Sequence, residues 1–264
     1  MFTALPPMIE LTKNICRTIK SLDERKVRRK EGLFKAEGTK CVLDTIGHFN
    51  VRHLFATHDW LEANRNTAVV GRLANSECIT QVTRNDLSRM SSLTTPSDVI
   101  AVYEIPLREP DFATMSSRLI LALDTIQDPG NLGTIIRVAD WFGIRDIICS
   151  AETADCYAPK VIQSTMGSIS RVKLHYGSLS EMIESINPTA VYGTFLDGET
   201  ITDAEIGSDG IIVIGNEGKG ISAEIERIVS KRLFIPSYPP GQETGESLNA
   251  AIATAITLAK FRGV

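Results

Sequence analysis

The stretch LALDTIQDPGNLGTIIRVADWFGI, Leu121–Ile144, decides how the second half of this chain folds. Its first residues read as a buried strand. Pro129-Gly130-Asn131 is turn chemistry, because proline presets φ while glycine and asparagine tolerate left-handed backbone. A helix follows, with Leu132, Ile135, Ile136, Ala139 and Phe142 recurring on one side at the 3.6-residue period. Arg137 lies within that helix. Most helical arginines are solvated, but this helix starts at a strand's carboxyl end. In open parallel sheets, that is where ligands bind.

Outward from this stretch the pattern repeats. Apolar strand candidates are LILALD, RDIICS, RVKLHY, AVYGTF, GIIVIG and RLFIP. Helical segments separate them, at Gly133–Phe142, Pro159–Met166, Leu179–Ser185, Ser222–Val229 and Ser247–Phe261. Strands alternating with helices predict an α/β domain with a mostly parallel sheet covered by helices on both faces.

Two more strand ends carry unusual loops. After GIIVI comes IGNEGKGIS, Ile214–Ser222, where Gly215, Gly218 and Gly220 surround Glu217. Glycine permits tight turns and close backbone approach to a ligand. A turn ahead of a helix at Ser222 explains the glycines equally well. The loop fits neither GxGxxG nor GxxxxGK[ST], so dehydrogenase and P-loop kinase mechanisms lack their fingerprint. After LFIP comes IPSYPPGQETGESLNAAIATAI, Ile235–Ile256. Here Ser247 is a candidate N-cap and Asn249 lies in the first helical turn. Leu248, Ile252, Ala255, Ile256 and Ala259 share one face. The many alanines make a slim helix that another backbone can approach.

The first half reads as a small α/β domain, residues 1–104, followed by a proline-containing linker at 105–117 and the larger domain at 118–264. Leu11, Ile15, Ile19 and Leu22 have helical spacing, and so do Cys41, Val42, Thr45, Ile46 and Phe49. VRHLFAT, ECITQVT and DVIAVYE read as strands, and Asn85 as the N-cap of DLSRM. From Lys20 to Lys35, seven basic residues face three acidic ones in a chain whose net charge is −4. This cluster, with Arg25, Lys26, Arg28, Arg29 and Lys30, is either a solvated helix end or a surface for nucleic-acid phosphates.

Composition sets the outer limits. At 43% hydrophobic and 23% charged residues the chain is ordinary globular material. No apolar run approaches the ~20 residues of a membrane span. MFTALPPMIELTK lacks the charged start and apolar core of a signal peptide. The five cysteines form no CxxC pair and, with four histidines, give no metal-ligand spacing. A reduced, cytoplasmic protein without a metal is expected.

Taken together, the three loops resemble the three motifs of the SpoU (TrmH-like) RNA ribose 2′-O-methyltransferases of the SPOUT superfamily. The likeness runs from about residue 118 to 261. Between the loops, APKVIQSTMGSISRV resembles the family's middle helix, with Gln163 in place of its usual basic residue. In the first half, LDERKVRRKEGLFKAEGTKCVLD is similar to the ribosomal-protein-like substrate-binding domain of many rRNA-modifying members.

The resemblance implies a trefoil knot in the second domain, which general topology rules would argue against. It implies S-adenosyl-L-methionine bound in the knot, and a homodimer with active sites at its interface. The implied substrate is an RNA ribose 2′-OH, with rRNA favoured. The alternatives are a tRNA 2′-O-methyltransferase or a non-catalytic RNA-binding protein of the same fold. By motif correspondence Arg137 is the principal catalytic residue, Asn131 shapes its site, and Ser247 and Asn249 position substrate and cofactor. Glu217 orders the loops. Leu196, Gly215, Asn216, Gly218, Ile235, Leu248 and Asn249 would contact the cofactor, while Arg137 and the basic cluster would contact RNA. The third loop, Ser237–Glu246, is longer than the family's usual link, and Ser237 replaces its usual methionine.

Overall fold

The computed structural model describes residues 11–73, 78–239, 245 and 247–264. Most of the long third loop, the first residue of the expected strand ECITQVT and nearly all of the N-terminal stretch tested for a signal peptide lie outside the described residues. The chain divides into two compact units. One takes residues up to Leu107 together with Tyr157–Ser170; the other takes Arg108–Cys156 and Arg171–Val264.

The first unit is built on α1 (Lys13–Ser21), α2 (Arg25–Glu31), β1 (Leu33–Glu37), α3 (Thr39–Thr45) and β2 (Val51–Ala56). It continues through α4 (His58–Asn64), α5 (Ala68–Leu73), β3 (Ile79–Gln81), α6 (Arg84–Met90) and β4 (Val99–Glu104). The strands order as β1-β4-β2-β3. β4 runs antiparallel to both of its neighbours, and β3 runs parallel to β2. One core cluster joins Ile19 and Leu22 of the N-terminal region to Phe55, Leu87, Ile100 and Val102. α6 begins at Thr83 rather than Asn85. The Thr83 hydroxyl accepts from the Asp86 N–H at 3.2 Å and Asp86 returns a bond to the Thr83 N–H, a reciprocal capping box. Asn85 is already inside the helix and has no such partner pair.

Strand β1 was hidden within the basic run. Its Lys35 is fully buried, and its ammonium pairs with Asp23 at 3.0 Å and Glu37 at 3.3 Å. Ser91 Oγ at 2.5 Å and Ser92 N–H at 2.8 Å donate to the Glu37 carboxylate. A buried lysine is sustainable only with this kind of saturation.

The segment the sequence assigns to the second half, α9 (Pro159–Thr165), belongs with the first unit. Tyr157 packs at a tilt against Phe34 with ring centroids 4.6 Å apart, and Gln163 Nε2 donates to the Glu37 carbonyl at 2.6 Å. An aromatic contact and a part-buried hydrogen bond hold this helix, and neither has a local sequence signature.

The second unit contains α7 (Phe112–Met115), β5 (Leu119–Leu123), α8 (Pro129–Trp141), β6 (Asp146–Ser150) and β7 (Lys173–Gly177). α10 (Leu179–Ile186), β8 (Val191–Phe195), β9 (Glu199–Thr200) and β10 (Gly210–Ile214) follow. The unit ends with α11 (Ala223–Glu226), β11 (Lys231–Phe234) and α12 (Ala250–Arg262). Its seven strands order as β7-β6-β5-β10-β8-β11-β9, and the pairings are parallel. Every residue of LILAL in β5 and GIIVI in β10 is buried, as expected of central parallel strands covered on both faces.

One cluster includes Met182, Ile183 and Ile186 of α10 with Ile120, Ile148 and Val213 of the sheet. α8 and α12 pack on each other, and α12 also reaches β10. The buried face of α12 is Ala250, Ala251, Thr254, Thr257, Leu258 and Phe261. Leu248, Ile252 and Ile256, which the sequence places on one apolar face, remain 47%, 49% and 37% exposed. Close helix approach selects small residues, so the alanine and threonine side turns inward. The Thr254 and Thr257 hydroxyls are satisfied by Ala250 and Ala253 carbonyls at 2.7 and 2.8 Å. Asn249, not Ser247, caps this helix, accepting from the N–H groups of Ala251 at 3.0 Å and Ile252 at 3.3 Å.

Candidate active site

The loops after β8, β10 and β11 surround one cleft of about 680 Å³. Of the expected cofactor residues, Leu196, Gly215, Asn216, Gly218, Ile235 and Leu248 line it, together with Glu217 and Ser247. Asn249 does not border the cleft. The loop after β10 closes through paired backbone bonds between Asn216 and Gly220, at 3.0 and 2.8 Å. Only glycine fits at position 215, because a Cβ there would sit 2.4 Å from the Gly220 carbonyl carbon and 2.5 Å from Ile221 N.

The three motif segments meet through side chains. α8 starts at Asp128, whose carboxylate accepts from Asn131 N–H at 2.8 Å, with Pro129 in the first turn. The Asn131 amide nitrogen donates to Glu217, and its oxygen accepts from Asn249 Nδ2 at 2.8 Å. The Asn249 oxygen caps α12. The result is a directed relay: an acceptor-only carboxylate orients one amide, that amide orients the next, and the last faces a helix N-terminus. Ser247 Oγ donates to the Glu217 carbonyl at 3.3 Å. The relay thus fixes Asn131, Glu217 and Asn249 mutually, although they are 86 and 118 positions apart in the chain.

Arg137 is exposed on α8, and among the described residues it has no hydrogen-bond or ion-pair partner. A permanently charged guanidinium left without a protein carboxylate is free for an anionic group. The Asn216 side chain, besides bordering the cleft, is engaged within the protein. Its oxygen accepts from the N–H groups of Gly218 and Lys219, at 2.9 and 3.1 Å, and its nitrogen donates to the Thr125 carbonyl at 2.9 Å. It therefore braces its loop.

The basic cluster separates into two kinds of residue. Arg28 is buried, with Nη1 donating to the Leu22 and Asp23 carbonyls at 2.7 and 2.8 Å, so it holds the turn before α2 instead of presenting charge to RNA. Arg25 is half-buried. Lys26, Arg29 and Lys30 are exposed. Helical position decides this: residue 28 points inward from a seven-residue helix on which Lys26, Arg29 and Lys30 point out.

One wall of the cleft went unread. Arg232 lies 3.6 Å from the Phe195 ring centroid and is tied to Asp197 and, at 2.6 Å, to Glu226. Those carboxylates, Asp197 first, hold the guanidinium's pKa above its ordinary value. The available signal was an arginine inside the short strand that leads into the third loop, where it pairs with Gly193 two residues before Phe195.

A parallel sheet whose carboxyl-end loops converge on one cleft, braced by a relay that ties three distant segments, is the layout of an α/β enzyme that binds its ligand at the strand ends. Residues 118–259 match the SpoU rRNA Methylase family, and residues 13–101 match the MRM3-like substrate binding domain. The chain belongs to the SpoU rRNA methylase family. That membership makes it an RNA methyltransferase with S-adenosylmethionine as its cofactor.

Among relatives, the 23S rRNA (guanosine(2553)-2′-O)-methyltransferase RlmP of Bacillus subtilis is 29% identical, over 92% of this chain and 94% of its own. A TrmH-family structure from Porphyromonas gingivalis superposes with TM-score 0.83 at 35% identity, covering 96% of this chain and 98% of the other. The AdoMet-bound rRNA methyltransferase of Sinorhizobium meliloti gives TM-score 0.83 at 26% identity, over 97% and 98%.

Proposed function

We propose that this enzyme methylates a ribose 2′-hydroxyl of ribosomal RNA. The observation that carries the reading is the Glu217–Asn131–Asn249 relay, which joins the three strand-end loops beside the cleft. A volume of about 680 Å³ suits a nucleoside-sized cofactor, since such pockets run from about 300 to 1,000 Å³. The glycine-only position 215 gives the cradle a close backbone approach. Leu196, Gly215, Ile235 and Leu248 would hold the adenosine part.

When bound, S-adenosylmethionine supplies an electrophilic methyl group on a sulfonium. The protein's part is alignment and charge control. Arg137 acts in this reading through its charge and its planar fork of donors. It binds a phosphate beside the target ribose and stabilises the alkoxide that develops as the hydroxyl gives up its proton to solvent water. Asn131 and Asn249, locked by the relay, shape the space in which the ribose lies, and Ser247 borders it. Ribose-methylation mapping of total RNA from cells with and without the gene should show one rRNA 2′-O-methyl group lost. Loss at a tRNA site instead would overturn the rRNA assignment.

The trefoil knot and the homodimer belong to the same reading. The strand order supports the knot, because β10 returns between β5 and β8. Exposed Leu248, Ile252 and Ile256, with Trp141 on the packed helix α8, support a dimer face. Ile252→Arg should convert the dimer to monomer in sedimentation equilibrium; a variant that sediments as the parent does would remove this face from the interface. Four buried free thiols, Cys16, Cys41, Cys149 and Cys156, support a reducing cytoplasmic setting.

In the first unit, Lys26, Arg29 and Lys30 are the RNA-facing cations. Reversing all three to glutamate should weaken RNA binding at least tenfold and lower the slope of log K against log salt by about 2, at roughly 0.7 per lost phosphate contact. Cofactor binding should stay as it was. Unaltered RNA affinity would return these residues to plain solvation.

A further inference from the structure

We infer that Asp124 and Asn216 are positioning residues that hold Thr125 in a left-handed turn and thereby fix the start of α8, with Asn131 and Arg137, against the loop after β10. The inference rests on the cleft being the methyl-transfer site.

Thr125 is the residue at which β5 leaves the sheet, and its φ is +61°. β-Branched residues avoid that region, because Cβ crowds the backbone. Such a conformation persists only where the surroundings over-determine it, and these places concentrate at functional sites. Three hydrogen bonds do so here. The Thr125 N–H donates to Ser150 Oγ at 3.0 Å, its hydroxyl donates to Asp124 Oδ1 at 3.1 Å, and its carbonyl accepts from Asn216 Nδ2 at 2.9 Å.

The two side chains named are themselves anchored. Asp124 is 4% exposed, and its second oxygen accepts from the Ser222 N–H at 2.7 Å, where the loop after β10 enters α11. The Asn216 oxygen holds two loop N–H groups. The loops after β5 and β10 are therefore tied at three points: Asp124 to Ser222, Thr125 to Asn216, and Asn131 to Glu217. The first two set the backbone from which the third, the relay, is built. Neither Asp124 nor the Thr125 side chain is needed to close the sheet, since β5 pairs β10 through its backbone. A geometry fixed before substrate arrives is what alignment of a transferring methyl group requires.

The test uses the full chain and four preparations: parent, Asn216→Asp, Asp124→Asn and Arg137→Ala. Asn216→Asp keeps the acceptor for Gly218 and Lys219 but sets a carboxylate oxygen against the Thr125 carbonyl. Melting temperature, S-adenosylmethionine affinity by calorimetry, and kcat and KM for RNA are measured on each. The expected result for Asn216→Asp is a 10- to 100-fold fall in kcat and weaker cofactor binding, with KM for RNA and melting temperature near those of the parent. Asp124→Asn should follow it.

Unchanged kcat and cofactor affinity in both, while Arg137→Ala is inactive, overturns the positioning role and leaves the site reading intact. A kcat loss that merely tracks a fall in melting temperature overturns it as well. Full activity in Arg137→Ala instead removes the site reading itself.

Discussion

Arg137→Ala should cut methyl transfer by about 10²–10³ in kcat, the usual loss when one preorganised charge-stabilising donor is removed. S-Adenosylmethionine affinity should be kept, because Arg137 is not among the residues lining the cleft. The fold should be kept too, since the side chain is exposed and without a partner among the described residues. Surface substitutions of that kind stay within about 0.5 kcal/mol. Arg137→Lys should recover little, because an ammonium lacks the planar fork that engages phosphate through two bonds. Single-turnover assays on rRNA separate chemistry from binding. A turnover equal to the parent's would remove Arg137 from the mechanism; a loss confined to cofactor affinity would move it into the cleft.

The largest stability effect is expected within the first unit. Lys35→Ala strands the Glu37 carboxylate, which is 3% exposed. Breaking a buried pair from one side typically costs about 3–5 kcal/mol, because the remaining charge stays desolvated. Ser91 and Ser92 still donate to Glu37, so the lower end of that range is expected. The double variant Lys35→Met/Glu37→Leu should recover much of the loss, since it leaves no buried charge alone. Urea unfolding measures both. A single-variant cost below about 1 kcal/mol would mean that water or rearrangement already relieves the site.

The same network has a pH signature. Burial raises the Asp23 pKa, but the Ser92 hydroxyl, Lys20 and Lys35 outweigh it and hold the carboxyl below its ordinary 3.8. Its contribution is therefore fully present above that value and is lost as pH falls through the lower, folded one. Lys35→Ala should shrink this acid-side loss.

The parts of the fold that could be read directly are those with a local signature. LILAL and GIIVI are continuous apolar runs, so their central place in a parallel sheet follows from composition. Pro129-Gly130-Asn131 and the glycines around Glu217 mark strand-end turns. The site residues on those turns were therefore nameable, and Asn131, Glu217, Ser247 and Asn249 do converge. The basic cluster was misleading at Arg28 and Lys35. Charge in a sequence reads as exposure, and only the carbonyls of Leu22, Asp23 and Met90 reveal otherwise. In α12 the alanines marked a slim helix, and close packing on α8 does bury the small residues, while which face turns inward was set by that neighbour.

The sequence by itself determined the alternation of strands and helices, the parallel class of the larger sheet, and the three unusual loops at its strand ends. These are properties of period and of turn residues, which act over a few positions. Only the tertiary structure decided which cations are buried, which face of α12 is core, that Tyr157–Ser170 joins the first unit, and that Asn131 lies between Glu217 and Asn249. Those outcomes depend on partners up to 126 residues away, as with Gln163 and the Glu37 carbonyl. A hydrogen bond or buried charge is settled by what lies across from it in space, and hydropathy along the chain carries no record of that neighbour.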